Sequence, residues 1–172
     1  IIYQYAKEKS LDLNILGKLN QNKELKNEEI DFFNNILGNS NWNYIESNQD
    51  YKCYEKIDES KFVVFISSTL GFESITRGKP TVALCSRNFK YKNKISDDLC
   101  FAWPSKINKT GPFWTNKCDK VETIKILEYV NNIDQKKWIE SIKHISNNFM
   151  IYNAKNTIFY NLLESLKIQH IK

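Results

Sequence analysis

The sequence is poor in the residues that bind metals or form disulfides. Its 172 residues include two histidines and four cysteines. The cysteines, Cys53, Cys85, Cys100 and Cys118, lack the paired spacing of a zinc site or a redox pair, which favours reduced thiols in a cytosolic protein. No Asp-x-Asp run is present to hold a cation against phosphate groups. We therefore expect a site that requires no metal.

The sequence also lacks long apolar runs and dense basic segments. No run approaches the roughly 20 apolar residues of a membrane span and no signal peptide opens the chain, so we expect a cytoplasmic protein, free or at the inner face of the membrane. The net charge of +5 is spread along the chain, which weakly favours anionic ligands without indicating nucleic-acid binding. The chain begins at Ile1 and its one methionine is Met150, which suggests a fragment of a longer protein.

With 41% apolar and 26% charged residues, the composition is that of one globular domain. Its first part alternates between strand and helix patterns. Residues 11–17 read as a half-buried strand that stops at glycine, and Trp42–Ile45 as a short strand. Between them, Asn27 has the properties of a helix cap and Gly38 those of a helix end. The other helices predicted in this part are 1–9 and 51–60.

A compact strand-helix-strand unit follows between residues 61 and 85. The run Lys61–Ile66 is apolar on both faces, which predicts a central strand of a parallel sheet. A short helix over 70–77 ends at Gly78, and Pro80–Cys85 is the next strand.

The rest of the chain is predicted to consist of loops and then helices. Residues 87–98 form a polar loop, 99–103 a short strand, and 104–119 a long ordered loop. Three helices follow, with apolar positions Val121, Ile124, Leu127, Tyr129 and Val130, then Trp138, Ile142 and Ile145, then Ile158, Leu162, Leu163 and Leu166. This order predicts an α/β fold with a Rossmann-like, doubly wound parallel sheet and a helical C-terminal tail over 130–172.

The turn from Ser67 to Gly71 is the candidate ligand site. In open α/β sheets, ligands bind beyond the carboxyl ends of the strands, where helix N-termini present N–H groups. Ser68 or Thr69 can cap the helix while another hydroxyl donates to a phosphate oxygen, and Gly71 lets a ligand approach closely. The alternative is a plain helix start, because serine and threonine are ordinary caps.

Glu73 and the later loops supply further candidates. Glu73 either pairs with Arg77 four residues on, or accepts hydrogen bonds from the ribose hydroxyls of a nucleotide bound at the same helix end. Arg87 begins a basic, aromatic loop that could contact a donor phosphate or a lipid-linked acceptor, unless it is simply solvated. The aromatic pair Phe113 and Trp114, like Trp103, either covers a base or sugar ring or packs on its own domain.

The run Phe65–Ala83, with Ser-Ser-Thr-Leu-Gly-Phe-Glu after a strand and Gly-Lys at the helix end, is similar to the donor-site segment of GT-B glycosyltransferases. It looks most like that of surface-carbohydrate and capsule biosynthesis proteins. Segments Phe101–Pro104 and Gly111–Asn116 also look like parts of those proteins, and the resemblance covers roughly 11–130. Two features depart from it: the N-terminal acceptor half is lacking, and so is the His-Pro segment of many polysaccharide transferases.

The resemblance implies that residues 1–172 form one nucleotide-sugar-binding domain, the C-terminal half of an enzyme whose acceptor domain is missing here. It assigns Ser68, Thr69 and Gly71, with Ser67 beside them, to the phosphates and Glu73 to the ribose. It implies a nucleotide sugar as donor substrate, no metal or other cofactor, a carbohydrate or lipid-linked carbohydrate acceptor, and peripheral contact with a membrane. We expect this chain alone to bind nucleotide without transferring sugar. The alternatives are a sugar-nucleotide epimerase and a non-catalytic binding or assembly protein of the same fold.

Overall fold

The computed structural model describes residues 1–17, 22–38, 41–46, 52–85, 110–117, 119–146, 153 and 155–166. Within these residues the chain forms seven helices and five strands. The helices are α1 (Ile2–Glu8), α2 (Lys23–Leu37), α3 (Lys52–Glu59), α4 (Thr69–Thr76), α5 (Lys120–Asn132), α6 (Gln135–Ser146) and α7 (Thr157–Ser165). The strands are β1 (Leu13–Leu16), β2 (Trp42–Ile45), β3 (Val63–Phe65), β4 (Thr81–Leu84) and β5 (Trp114–Thr115).

The named strands pair in parallel and form two sheets. Strand β1 pairs with β2, and β4 lies between β3 and β5 in the second sheet. The register places Phe65 beside Ala83 and Ala83 beside Trp114. Parallel strands alternating with helices, followed by helices at the C-terminal end, confirm the predicted Rossmann-like α/β fold.

The central strand of the second sheet is β4, although the sequence predicts this place for residues 61–66. All four residues of β4 are buried, and Val82 and Ala83 have no exposed surface. By contrast, Lys61 and Ile66 are exposed, and in the described part of the chain β3 pairs with β4 alone. An apolar run indicates burial of a strand and does not reveal how many neighbours the strand has.

Helices α4 and α5 cover the second sheet and enclose the core. Helix α4 packs on β3 and β4, while α5 packs on β4 and β5. The core includes the fully buried residues Ile75, Phe113, Leu127 and Trp138. Helix α4 ends as predicted at Gly78, whose φ of +82° is in the left-handed region that favours glycine.

The sequence-based start of α2 is wrong. Asn22, not Asn27, caps this helix, and its side-chain oxygen accepts hydrogen bonds from the backbone N–H groups of Glu24 at 2.9 Å and Leu25 at 3.2 Å. Both asparagines have the properties of a cap, and the earlier one captures two N–H groups of the first turn. The predicted end is confirmed at Gly38, where φ is +74°.

The predicted loop over 104–119 contains β5 in its described part. Phe113 is fully buried, and its ring lies 5.2 Å from that of Trp138, centroid to centroid. Trp114 is 5% exposed, and a Cβ atom on Gly111 would stand 2.1 Å from its ring. Of the two roles left open for this aromatic pair, the structure favours packing within the domain.

The first C-terminal helix begins at Lys120 as predicted, but in two of the three helices predicted apolar positions are exposed. In α5 the buried residues are Thr123, Ile126, Leu127 and Val130. Val121, one of the apolar positions on which this helix was predicted, is 77% exposed. In α6, Trp138 and Ile142 are buried as predicted.

Helix α7 has no buried residue, although the sequence predicts an apolar face on it. Ile158, Leu162 and Leu166 are all more than half exposed. No helix in the described ranges is long and apolar enough to cross a membrane.

Candidate functional site

The candidate site lies at the carboxyl edge of the second sheet. Strands β3 and β5 are both parallel to β4, so their carboxyl ends share this edge. Strand β3 leads through Ile66, Ser67 and Ser68 into α4, and β5 leads into α5. Two helix N-termini therefore begin at the edge where α/β proteins bind their ligands.

The turn between β3 and α4 has an uncommon backbone conformation at Ser67. Its φ is +55°, in the left-handed region that non-glycine residues adopt infrequently. Ser68 then returns to an extended conformation at the N-cap position, with φ −111° and ψ 134°. Residues held in such conformations cost stability and cluster at functional sites.

Helix α4 begins without a side-chain cap. Ser68 occupies the N-cap position, but its hydroxyl makes no cap hydrogen bond. Of the first N–H groups of the helix, that of Gly71 donates to the Ser68 carbonyl at 3.2 Å, and those of Thr69 and Leu70 have no acceptor in the described part of the chain. Thr69 is exposed. This helix start therefore presents two backbone donors and a hydroxyl.

Gly71 has a structural reason for being glycine that the sequence does not reveal. The residue is buried, and a Cβ atom built on it would stand 2.0 Å from Cγ of Phe65. The missing side chain thus makes room for the Phe65 ring. The assignment of Gly71 to a phosphate stays a prediction.

The carboxylate of Glu73 accepts a hydrogen bond from the hydroxyl of Tyr54 on α3. This hydrogen bond, together with burial, raises the pKa of Tyr54 to about 12. Of the two roles left open for Glu73, the pair with Arg77 does not form, and Arg77 instead makes an ion pair with Asp58. Sequence reasoning missed Tyr54, since a contact across 19 residues has no local signal.

Two predicted candidates, Arg87 and Trp103, lie outside the described residues. Among the residues described, no group of three or more His, Cys, Asp or Glu side chains lies close enough together to hold a metal ion. Metal-independent binding stays a prediction.

These features define a class of protein: a Rossmann-like α/β domain in which a helix begins without a side-chain cap at the carboxyl edge of the sheet. Over residues 1–167 the sequence matches a family described as "putative O-antigen biosynthesis protein". Because this match covers nearly the whole chain, the protein belongs to that family, which indicates a role in surface-polysaccharide biosynthesis. Comparisons with curated proteins and with solved structures found no match.

Proposed function

We propose that this chain is the donor-binding domain of a GT-B glycosyltransferase, which moves a sugar from a nucleotide sugar to a surface-polysaccharide acceptor. The start of α4 binds the phosphates of the donor and stabilises the departing nucleotide while an acceptor hydroxyl attacks the anomeric carbon. Membership of an O-antigen biosynthesis family supports this proposal at the level of the pathway. The geometry of α4 supports it at the level of the site.

The observation that carries the proposal is the uncapped start of α4. Helix N-termini attract anions because their first N–H groups lack helical partners and the helix dipole is positive there. At α4 the N–H groups of Thr69 and Leu70 have no acceptor within the described residues, and no acidic residue stands in the first turn. A phosphate group placed here would accept both hydrogen bonds.

The position of Glu73 suits the ribose of the same nucleotide. Residues four apart on a helix lie on one face, about 5–6 Å apart at their Cβ atoms, so Thr69 and Glu73 are neighbours. A carboxylate accepts hydrogen bonds from vicinal hydroxyls, and a threonine hydroxyl donates to phosphate. Phosphate at the first turn and ribose at the second therefore match the order of groups in a nucleotide sugar.

We propose that the acceptor site is formed by a second α/β domain, as the GT-B resemblance implies, and that no metal takes part. Calorimetric titration of the chain with UDP, GDP, CMP and their sugars tests the donor site. We expect weak binding of at least one nucleotide, unchanged by EDTA, and no sugar transfer by this chain alone. If none of these nucleotides binds, the result would favour the assembly-protein alternative. Robust sugar transfer by this chain alone would contradict the two-domain arrangement.

A further inference from the structure

Glu73 is held by a side chain from a different helix. The Tyr54 hydroxyl of α3 donates to Oε2 of Glu73 on α4. In the described part of the chain, the other carboxylate oxygen of Glu73 has no hydrogen-bond donor. One oxygen is therefore engaged while the other remains available to a ligand.

The ring of Tyr54 is itself fixed by a basic residue. The Arg77 guanidinium lies over this ring, 5.1 Å from its centroid, in a cation–π arrangement. The same guanidinium makes a salt bridge with Asp58. The Tyr54 ring thus packs against the Arg77 guanidinium, which is paired with Asp58 on the same helix α3.

The C-terminal ends of α3 and α4 are also joined. The Lys79 ammonium donates to the backbone carbonyls of Asp58 and Ser60, at 2.8 Å each. These two hydrogen bonds link Lys79, which follows Gly78 at the end of α4, to the end of α3. The contacts that Arg77 and Lys79 make with the end of α3 therefore hold Tyr54 close to Glu73.

We propose that Tyr54 is a positioning residue for ribose recognition: its hydroxyl orients the Glu73 carboxylate so that the remaining oxygen accepts a ribose hydroxyl. This inference rests on the proposed function. A glutamate on a helix surface samples several rotamers, and restricting it before the ligand arrives lowers the entropy lost on binding. The phenol of Tyr54 is protonated at neutral pH and donates to Glu73, and this bond together with burial raises its pKa to about 12.

The test is Tyr54→Phe, which keeps the ring under Arg77 and removes only the hydroxyl. We expect ribonucleotide affinity to fall about three- to tenfold, as the loss of one hydrogen bond implies, while 2′-deoxynucleotide affinity stays unchanged. Added to Glu73→Gln, the same substitution should cause no further loss, because Tyr54 acts through Glu73.

The chain offers a matched control in Tyr44, whose hydroxyl donates to Oε2 of Glu29 at 2.6 Å and whose pKa is also about 12. Tyr44→Phe removes the same kind of bond on α2 and β2, and we expect it to leave nucleotide affinity unchanged. A second readout needs no nucleotide: in protein labelled at tyrosine Cζ, NMR should show the pKa of Tyr54 falling towards 10 in Glu73→Gln.

The outcomes separate this inference from the proposed function. If the unmodified chain binds no nucleotide, both fail together. If it binds, and Glu73→Gln abolishes the preference for ribose while Tyr54→Phe retains it, the positioning role is wrong and the donor site stands. Equal losses in Tyr54→Phe and Tyr44→Phe would also overturn the positioning role, since they would indicate a general loss of stability.

Discussion

Helices α4 and α5 begin at the same edge of one parallel sheet, yet the chemistry of their first turns is opposite. Asp119 caps α5, accepting a hydrogen bond from the N–H of Glu122 at 2.8 Å, and Glu122 adds a second negative charge in the first turn. Ser68 stands at the equivalent position of α4 without a cap hydrogen bond, and no acidic residue lies in the first turn of this helix.

The two cap residues share nearly the same backbone conformation, with φ and ψ of −111° and 134° at Ser68 and −112° and 132° at Asp119. The difference between the helix starts is therefore one of side chains. An acidic cap satisfies the helix dipole internally and repels an external anion, whereas the start of α4 is left open to one. We infer that the start of α5 serves stability and that of α4 serves binding, and four predictions test this contrast.

The largest effect on stability is expected at Gly71, the third position of α4. Alanine normally stabilises a helix interior by roughly 0.5–1 kcal/mol relative to glycine. In Gly71→Ala the new methyl group would enter the Phe65 ring, so we expect the free energy of unfolding to fall by about 2–3 kcal/mol instead. Urea denaturation measures this change.

The matched control for that variant is Glu122→Ala, which occupies the same position of α5 and should change stability by less than about 0.5 kcal/mol. If Gly71→Ala is instead more stable than the unmodified protein, the Phe65 ring can shift to accommodate the methyl group. Packing against Phe65 would then not be the reason for a glycine at this position.

The next effect concerns the first position of each helix. Proline is tolerated there, and the extended residue before it satisfies the steric demand of the ring. Thr69→Pro removes one backbone N–H and one hydroxyl from the proposed phosphate site, so we expect nucleotide affinity to fall by about ten- to a hundredfold, since bonds to charged groups contribute about 1.5–3 kcal/mol. Calorimetry measures the affinity and thermal melting the stability.

Lys120→Pro makes the corresponding change at the start of α5, where no phosphate is proposed. It should leave nucleotide affinity unaltered and shift the melting temperature as little as Thr69→Pro does. Equal losses of affinity in both variants would mean that the two helix starts do not differ in function.

Glu73→Gln tests the second turn of α4. The change keeps the size of the side chain and one acceptor oxygen but removes the charge, so we expect about a tenfold loss of nucleotide affinity. The unmodified protein should bind the 2′-deoxynucleotide more weakly than the ribonucleotide, and Glu73→Gln should scarcely distinguish them. If both proteins discriminate the two sugars equally, Glu73 does not contact the ribose.

The smallest effects are the changes in the free energy of unfolding expected when the two cap residues are replaced. Asp119→Ala removes a cap hydrogen bond and should lower the free energy of unfolding by about 1 kcal/mol. Ser68→Ala removes a hydroxyl that makes no cap hydrogen bond, so we expect a change of only a few tenths of a kcal/mol. A loss at Ser68 as large as that at Asp119 would show that Ser68 caps α4 in solution.

Much of the fold could be predicted because its signals are local. The alternating run before Gly17 predicts β1, and the segment from 42 to 45 matches β2 in full. Gly38 and Gly78 end their helices as expected, since glycine readily adopts the positive φ required there. Local ambiguity explains the misplaced start of α2, where two asparagines compete as caps.

The sequence by itself determined the order of β1 to β4 and of the helices, the α/β class and the place of the candidate site, because period, caps and glycines act over a few residues. Only the tertiary structure decided what the side chains do there. Gly71 faces Phe65, Glu73 meets Tyr54 and Arg77 pairs with Asp58. The packing of α4 on β3 brings Gly71 to Phe65, and side-chain contacts between α3 and the segment from α4 to Arg77 make the other two pairs, which no local pattern encodes.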